Sequence, residues 1–176
     1  MRPITVYLNY GKKLLWWGFN FWRYKNLGFQ SYIDRPLKVN GRKNIKISKN
    51  VTVHYKTWLA SVPLTGTSNP ILEIGNGTAI GNFNHIYSTK KIIIGKNVLT
   101  ADKVYISDNL HGFDDPFMPI MKQQIVQKSE VIIGDGTWLG ENVCVIGASI
   151  GKNCVIGANS VVTKDIPDYC VAVGSP

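Results

Sequence analysis

An aliphatic residue followed by glycine returns every six residues through much of this 176-residue chain. The pattern runs from Ile133-Gly134 to Val162 with a one-residue slip before Ile150-Gly151, and from Ile74-Gly75 to Ile106 with a two-residue shift before Ile94-Gly95. An α-helix would repeat about every 3.6 residues and an ordinary strand about every two. A period of six predicts short strands joined by tight corners, with three strands to a turn. The chain is therefore expected to wind as an all-β solenoid.

The period is faint before residue 71 and is interrupted twice. Residues 60–70 are rich in Pro, Gly and Ser and are predicted to form a loop. Residues 107–129 abandon the period completely and are predicted to protrude from the stack, as functional loops often do. We divide the chain into an N-terminal segment, residues 1–38, and a solenoid domain, residues 39–176. Asn84 has an inward phase and is predicted to join a ladder at a corner.

The net charge of +9 is concentrated near the N-terminus. Residues 1–50 hold eleven Lys or Arg and the single acid Asp34. A basic, aromatic helix is predicted within residues 1–30, with Gly18 as a candidate break. Two roles are open for it: a cap on the first coil, or peripheral contact with an anionic membrane surface. No nucleic-acid-binding motif accompanies the basic residues, so a nucleic-acid partner is not expected.

The cysteines and the N-terminal segment predict a cytoplasmic protein, with any membrane contact on the inner face. The chain has three cysteines, Cys144, Cys154 and Cys170, and an odd number argues against a disulfide framework. Cys144 and Cys154 are predicted to be small core residues. Residues 1–30 have no apolar run near the roughly 20 residues of a membrane span and no signal-peptide pattern.

His111 is the first candidate for catalysis. It follows the inward-facing Ile106 by five residues and lies where the long loop begins. Imidazole readily exchanges a proton near neutral pH, so it can accept one from an attacking hydroxyl or amine. Trp138 has the same phase in the first coil after the loop, and the two side chains are expected to wall one site. The alternative is that His111 only anchors the loop.

The sequence resembles the hexapeptide-repeat acyltransferases, in particular the maltose, galactoside and polysaccharide O-acetyltransferase group. The resemblance rests on residues 94–98, 106–112, 131–143 and 156–167. It implies a left-handed parallel β-helix, acetyl-CoA as co-substrate without a metal, and a homotrimer with its sites between subunits. It further implies direct acetyl transfer to a sugar or glycan, which we place in bacterial surface polysaccharide biosynthesis (O-antigen, capsule or exopolysaccharide).

The same resemblance assigns roles to individual residues. His111 matches the general base, and Trp138 matches a wall of the acceptor cleft. Glu141 matches a position whose backbone contacts the coenzyme, where an N–H could stabilise a developing oxyanion. The other coenzyme-binding positions are Ala158 beside the pantetheine arm and Thr163 and Lys164 at the phosphorylated end.

The chain also departs from this family's pattern. Asn109 occupies a position where related enzymes often have a second histidine, and Gly81 occupies that of an expected acceptor-binding asparagine. Asn82 and His85 are therefore the candidate acceptor contacts on the solenoid. Residues 174–176 match a point where members of this family continue with a basic segment. Two expectations follow: weaker coenzyme binding if the chain is whole, or coenzyme or subunit contacts in the missing part if it is truncated.

Two other functions remain open, and a third is disfavoured by the spacing of the histidines. An N-acetyltransferase of an amino or nucleotide sugar would use the same base. A carbonic anhydrase on this fold would need three imidazoles converging on zinc, and His54, His85 and His111 lack the close pair of such a site. A non-catalytic solenoid would instead serve as a membrane-associated binding module through its basic helix.

Overall fold

The computed structural model describes residues 4–175, with side chains from residue 11 onward. One helix, α1 (Ile4–Asn20), leads through a 3₁₀ turn (Phe21–Arg23) into a stack of short strands. In chain order the strands are β1 (Asn26–Leu27), β2 (Tyr32–Ile33), β3 (Lys38–Asn40), β4 (Ile45–Ile47), β5 (Thr52–Val53), β6 (Trp58–Ser61), β7 (Ile71–Ile74), β8 (Ala79–Ile80), β9 (His85–Ser88), β10 (Lys91–Ile94), β11 (Leu99–Thr100), β12 (Tyr105–Ser107), β13 (Asn109–His111), β14 (Ile125–Gln127), β15 (Val131–Ile133), β16 (Trp138–Leu139), β17 (Cys144–Ile146), β18 (Val155–Ile156), β19 (Val161–Val162) and β20 (Val171–Ala172).

Three parallel sheets form the sides of a prism, and the chain visits them in the same order on every turn. Sheet A has the order β1-β4-β7-β10-β15, sheet B β2-β5-β8-β11-β16-β18-β20, and sheet C β3-β6-β9-β12-β17-β19. Equivalent residues of successive coils are in register, as Ala79, Leu99 and Trp138 are in sheet B. The all-β solenoid predicted from the six-residue period is confirmed, and the strands of its three sheets are parallel, as the family resemblance implied.

Residues at the inward repeat positions fill the prism. Each apolar side chain buried there contributes roughly 1.5–3 kcal/mol relative to an exposed one. Cys154 is buried as predicted, whereas the prediction for Cys144 was wrong. Cys144 lies half-buried on the outer face of sheet C, in register with Tyr105 and Val161. The wholly buried inward residues of the regular coils include Ile74, Ile80, Ile86, Ile94, Ile106, Ile133, Leu139, Val145 and Ile156.

The solenoid begins at β1, earlier than the boundary predicted at residue 39. β1 and β2 pair in register with β4 and β5 and complete a first coil. The sequence carries a signal for this coil that our division missed, because Leu27 and Ile33 are six residues apart and both face inward, in register with Ile47 and Val53.

α1 packs over this first coil, which is one of the two roles predicted for it. The ring of Trp16 meets Tyr32 edge to face with centroids 5.5 Å apart, and Trp17 Nε1 donates to the carbonyl oxygen of Leu27 at 2.9 Å. The helix runs through Gly18 without the predicted break. Within residues 4–175, no helix has the length and apolar character needed to cross a membrane.

Both interruptions leave the solenoid at the edge between sheets C and A, which we call the loop edge. Residues 62–70 connect β6 to β7, and residues 108–130 connect β12 to β15 and carry the antiparallel hairpin β13–β14. The hydroxyl of Thr65 donates to the side-chain oxygen of Gln127, so the two loops are joined. The protruding loop predicted at residues 107–129 is thus present.

Candidate active site

His111 is the last residue of β13 and lies opposite Ile125 in the hairpin. Its side chain is exposed, and among the described residues it has no hydrogen-bond partner. The next residue, Gly112, donates its N–H to the carbonyl oxygen of Gln124 at 2.8 Å. A Cβ at Gly112 would lie 2.7 Å from that oxygen, so the close approach requires glycine. A depression of about 50 Å³ beside the imidazole is lined by Leu110, His111, Gly112, Phe113, Asp114, Val126 and Lys128.

Asp108, three residues before His111, fixes the root of the hairpin. Its carboxylate is wholly buried. One oxygen accepts from the backbone N–H and the hydroxyl of Thr89 at 2.8 and 3.0 Å. The other accepts from the N–H groups of Lys90 and Lys91, both at 2.8 Å. A buried carboxylate needs such donors to replace water, and together they hold β13 against the preceding coil.

Gln127 braces the hairpin from its second strand. Its amide nitrogen donates to the carbonyl oxygen of Asp108 at 2.6 Å, and its amide oxygen accepts from the Thr89 hydroxyl at 3.0 Å. Asn109 is also buried and donates to the Asp108 carboxylate at 3.0 Å. The positioning roles of Asp108 and Gln127 were not predicted from the sequence, because the donors that bond to them lie one coil away at a corner with no distinctive motif.

A second group of predicted residues lies at the opposite edge of sheet C, between sheets B and C. We call this the ladder edge. Asn82 accepts from the N–H of Tyr55 at 3.2 Å, and its own N–H donates to Asp102 at 2.7 Å. The side-chain amide of Asn82 also donates to both Asp102 oxygens at 3.1 Å. The side-chain oxygens of Asn82 and Asp102 therefore each accept from the backbone of the preceding coil. Asn84 joins the ladder as predicted, donating to the carbonyl oxygen of Ala101 at 2.9 Å.

The ladder stops after Asp102, and neither Glu141 nor Ala158 continues it on the next two coils. The two residues stack on successive coils, as the 2.8 Å bond from the N–H of Asn159 to the Glu141 carbonyl oxygen shows. The methyl group of Ala158 offers no oxygen, so the N–H of Glu141 has no acceptor within residues 4–175. The Glu141 carboxylate faces outward and pairs with Lys103 at 3.0 Å. This corner therefore presents a free backbone donor beside an exposed, small residue.

Two aromatic side chains flank the ladder edge. Trp138 is 47% exposed on the outer face of sheet B. His85, at the start of β9 on sheet C, stacks on Trp58 with centroids 4.3 Å apart and planes 7° apart. Tyr105 meets the same imidazole at 5.2 Å. Burial lowers the pKa of His85, and its Nε2 is buried without a partner in the described part of the chain.

Thr163 and Lys164 return to the loop edge, where the chain leaves β19. Both side chains are exposed. They border a depression of about 240 Å³ at the end of the solenoid, lined also by residues 160–162 and 172–175 and by Ile166. The lysine supplies a mobile positive charge at its rim, which suits a phosphate group.

The predicted site residues thus fall into two groups on opposite edges of sheet C. His111, Thr163 and Lys164 lie on the loop edge. Asn82, His85, Trp138, Glu141 and Ala158 lie on or beside the ladder edge. One chain therefore does not bring His111 and Trp138 into the single walled site that their phase predicted, because equal phase does not mean the same edge.

The three histidines do not converge. His54 lies beyond β5 on sheet B, His85 is stacked on sheet C, and His111 is on the hairpin. In the part of the chain whose side chains are described, no three His, Cys, Asp or Glu form a group suited to a metal ion.

Comparison with known proteins matches the repeat to one family. The model for the hexapeptide repeat of succinyl-transferase matches residues 130–164. Galactoside O-acetyltransferase of Escherichia coli K12 is 32% identical over 156 residues, which cover 88% of this chain and 74% of that protein. The putative lipopolysaccharide biosynthesis O-acetyl transferase WbbJ of the same strain is 36% identical over 113 residues, covering 60% and 58%.

A solved structure and the relatives' lengths complete the comparison. The crystal structure of a maltose O-acetyltransferase from Clostridium difficile 630 is 29% identical and superposes with a TM-score of 0.58, covering 87% of this chain and 66% of that one. The chain spans about half the length of several curated relatives that it matches.

Proposed function

The chain belongs to the hexapeptide-repeat acetyltransferases, and on that basis we propose that it transfers an acetyl group from acetyl-CoA to a hydroxyl of a sugar. The observation that most supports this activity is the exposed imidazole of His111, free of partners in the described chain and held on a braced hairpin. A histidine that only anchored the loop would be bonded to it. Asp108 and Gln127 already perform that task.

In the proposed reaction His111 accepts the proton of the acceptor hydroxyl while that oxygen attacks the thioester carbonyl carbon. A carbon–oxygen bond forms, and negative charge develops on the carbonyl oxygen. The free N–H of Glu141 is the donor for this oxyanion. The carbon–sulfur bond then breaks, and the thiolate of coenzyme A takes the proton from the imidazolium.

The separation of the two groups supports a site shared between copies of the chain. If the loop edge of one copy docks beside the ladder edge of the next, His111 of one meets Glu141 of the other. Such a contact joins two different surfaces, and with a threefold rotation between copies it closes a ring, so that a homotrimer contains three equal sites. The loop tip presents the apolar surface that such docking would cover, formed by Phe113, Phe117, Met118, Ile120 and Met121.

The coenzyme would extend from the ladder edge toward a cationic end. Ala158 leaves room for the pantetheine arm beside Glu141, since a larger side chain there would fill the corner. Thr163 and Lys164 would receive the phosphates. Asn82, His85 and Trp138 stay candidates for the acceptor, with the Asn82 amide already committed to Asp102.

A glycan of a bacterial surface polysaccharide is the acceptor we propose. The relative named for lipopolysaccharide biosynthesis supports this class, as does the outer side of α1 and the turn after it. Leu15, Phe19 and Trp22 are 67%, 74% and 63% exposed there, next to the basic Arg23 and Lys25. Exposed aromatic and cationic groups suit peripheral contact with an anionic bilayer, which would place the enzyme on the cytoplasmic membrane face.

The test is thiol release from acetyl-CoA with a panel of free sugars, nucleotide sugars and lipid-linked glycans. Turnover with a sugar hydroxyl, abolished in His111→Ala with coenzyme affinity retained, is the expected result. Acetylation of an amino group alone would shift the assignment to an N-acetyltransferase. Coenzyme binding without turnover on any acceptor, or turnover unaffected by His111→Ala, would contradict the proposed mechanism.

A further inference from the structure

We propose that a groove between α1 and the outer face of the first two coils binds a phosphorylated ligand through its phosphate or diphosphate group. The groove has a volume of about 780 Å³ and lies at the N-terminal end of the stack, away from the hairpin that carries His111. Its lining residues are Lys12, Lys13, Tyr32, Asp34, Arg35, Thr52 and His54. None of them belongs to the proposed acetyl-transfer site, so the two proposals can fail independently.

The groove is built from elements that hold each other in place. Its floor is the outer face of β2 and β5, which pair in parallel with Tyr32 opposite Thr52. Its wall is α1, which Lys13 fastens by donating from Nζ to the Thr52 hydroxyl at 3.1 Å. The packing of Trp16 on Tyr32 closes the junction. The concavity is therefore part of the fold of the first coils.

The charges that line the groove have an excess of one sign. Lys12, Lys13 and Arg35 are cationic, and Asp34 is the one carboxylate among the lining residues whose side chains are described. That carboxylate already accepts from the Tyr32 hydroxyl at 3.1 Å and from Arg35 Nε at 3.3 Å. A concave surface with an excess of positive charge concentrates anions.

Neighbouring groups add donors and positive charge. The Arg35 guanidinium lies over the Tyr55 ring at 4.8 Å, and Lys56 approaches the same ring at 5.3 Å. Burial, reinforced by the hydrogen bond to Asp34, raises the pKa of the Tyr32 hydroxyl. The phenol therefore stays protonated, with its single O–H donated to Asp34.

These donors suit the oxygens of a phosphate better than they suit a neutral or cationic ligand. Guanidinium and ammonium groups make short, charge-assisted bonds to phosphate, and the excess of positive groups suits a dianion or trianion. The groove is much larger than a single inorganic ion, whose liquid-like volume is on the order of a few tens of Å³. The group attached to the phosphate would occupy the remainder. The phosphate could belong to a lipid headgroup or to a soluble diphosphate.

Inorganic pyrophosphate is the probe, titrated into the full-length protein at low ionic strength by calorimetry. Saturable binding is expected, with an affinity at least about tenfold lower in Lys12→Ala/Arg35→Ala. The matched pair Lys96→Ala/Lys152→Ala removes the same charge at exposed corners and should change affinity less than about twofold. Asp34→Asn should tighten binding. Absence of saturable binding, or equal loss in both pairs, would overturn the proposal.

Sedimentation with vesicles then identifies the source of the phosphate. The vesicles are phosphatidylcholine with and without phosphatidic acid. If Lys12→Ala/Arg35→Ala weakens sedimentation with vesicles that contain phosphatidic acid, and pyrophosphate displaces the wild-type protein from those vesicles, the ligand is a lipid headgroup. If sedimentation is unchanged while pyrophosphate binding is lost, the ligand is a soluble phosphate. Because Arg35 contacts Asp34, the thermal unfolding of the double variant is compared with that of the wild type. The pyrophosphate titration is also repeated with the single variant Lys12→Glu, in which Lys13 still anchors α1. Retention of wild-type affinity in Lys12→Glu would also overturn the proposal.

Discussion

The two edges of sheet C are built differently. The loop edge is interrupted twice by insertions, and it presents His111 on a hairpin fixed by a buried carboxylate. The ladder edge has no insertion, and the side-chain oxygens of Asn82 and Asp102 each accept from the preceding coil. The series stops at the next two coils, where Glu141 pairs with Lys103 and Ala158 has no side-chain oxygen. A repeat can therefore create a potential reactive group in two ways: by inserting a segment, or by omitting one side chain from a ladder.

Removing the reactive group of the loop edge should have the largest effect. His111→Ala is expected to lower kcat/KM by about 10² to 10⁴-fold, the range of a general base. The affinity for coenzyme A and the unfolding temperature should stay near the wild-type values, because the imidazole has no partner among described residues. Steady-state kinetics measure the loss, and partial rescue by added imidazole separates proton transfer from a change in loop position.

Removing the support of the same edge should reduce both stability and activity. Asp108→Ala leaves the buried N–H of Thr89 and the partly buried N–H groups of Lys90 and Lys91 without their acceptor. We expect a loss of about 3 kcal/mol or more in the free energy of unfolding, measured by urea denaturation. Asp115→Asn, in the exposed part of the same loop, is the control and should be nearly neutral. Wild-type stability in Asp108→Ala would show that the hairpin is held by other contacts.

The ladder edge can be tested by completing it. Ala158→Asn places an acceptor where the ladder lacks one, and it should occupy the N–H of Glu141. The expected loss in kcat is about tenfold to a hundredfold, up to the cost of one oxyanion donor, without a loss of stability. The converse variant, Asn76→Ala, removes a side-chain acceptor instead of adding one. It lies at the edge between sheets A and B and leaves the Lys49 N–H without its acceptor. It should cost about 1 kcal/mol of stability and leave kcat unchanged.

A smaller effect is expected from His85, beside the ladder edge. Its pKa is lowered by burial in the aromatic stack, so a proton binds the unfolded chain more readily than the folded one. Stability should therefore fall as the pH drops below about 6.5, the usual pKa of the unfolded residue. His85→Phe keeps an aromatic ring in the stack and should lose less stability between pH 7 and pH 5. Identical pH profiles for variant and wild type would contradict this assignment.

The sequence alone predicted the solenoid and the candidate base, because both depend on local spacing. The inward positions recur at six residues, and His111 lies where that spacing ends. The edge on which a residue lies was not predictable in this way. The position of a residue within the six-residue repeat tells where it lies along a strand. Which of the three sheets holds that strand is known only after every earlier strand has been counted. The first coil was missed at Leu27, and the loops obscure the count, so Trp138 was assigned to the side of His111.

Asp108 and Glu141 illustrate the same limit at the level of hydrogen bonds. Nothing adjacent in sequence indicates that three backbone donors of the preceding coil surround Asp108. The free N–H of Glu141 depends on the absence of an oxygen at Ala158, one coil later. Both features are properties of register between coils, which the fold supplies.

The most direct test of the shared site is subunit complementation. His111→Ala disables the loop edge, and Ala158→Trp is designed to block the ladder edge; each variant alone should be nearly inactive. If the two edges meet between copies, co-refolded mixtures contain interfaces with one intact loop edge facing one intact ladder edge, and acetyl transfer returns to a substantial fraction of wild type. If mixed oligomers form, as differently tagged subunits would verify, and activity stays at the level of the separate variants, the shared site is contradicted.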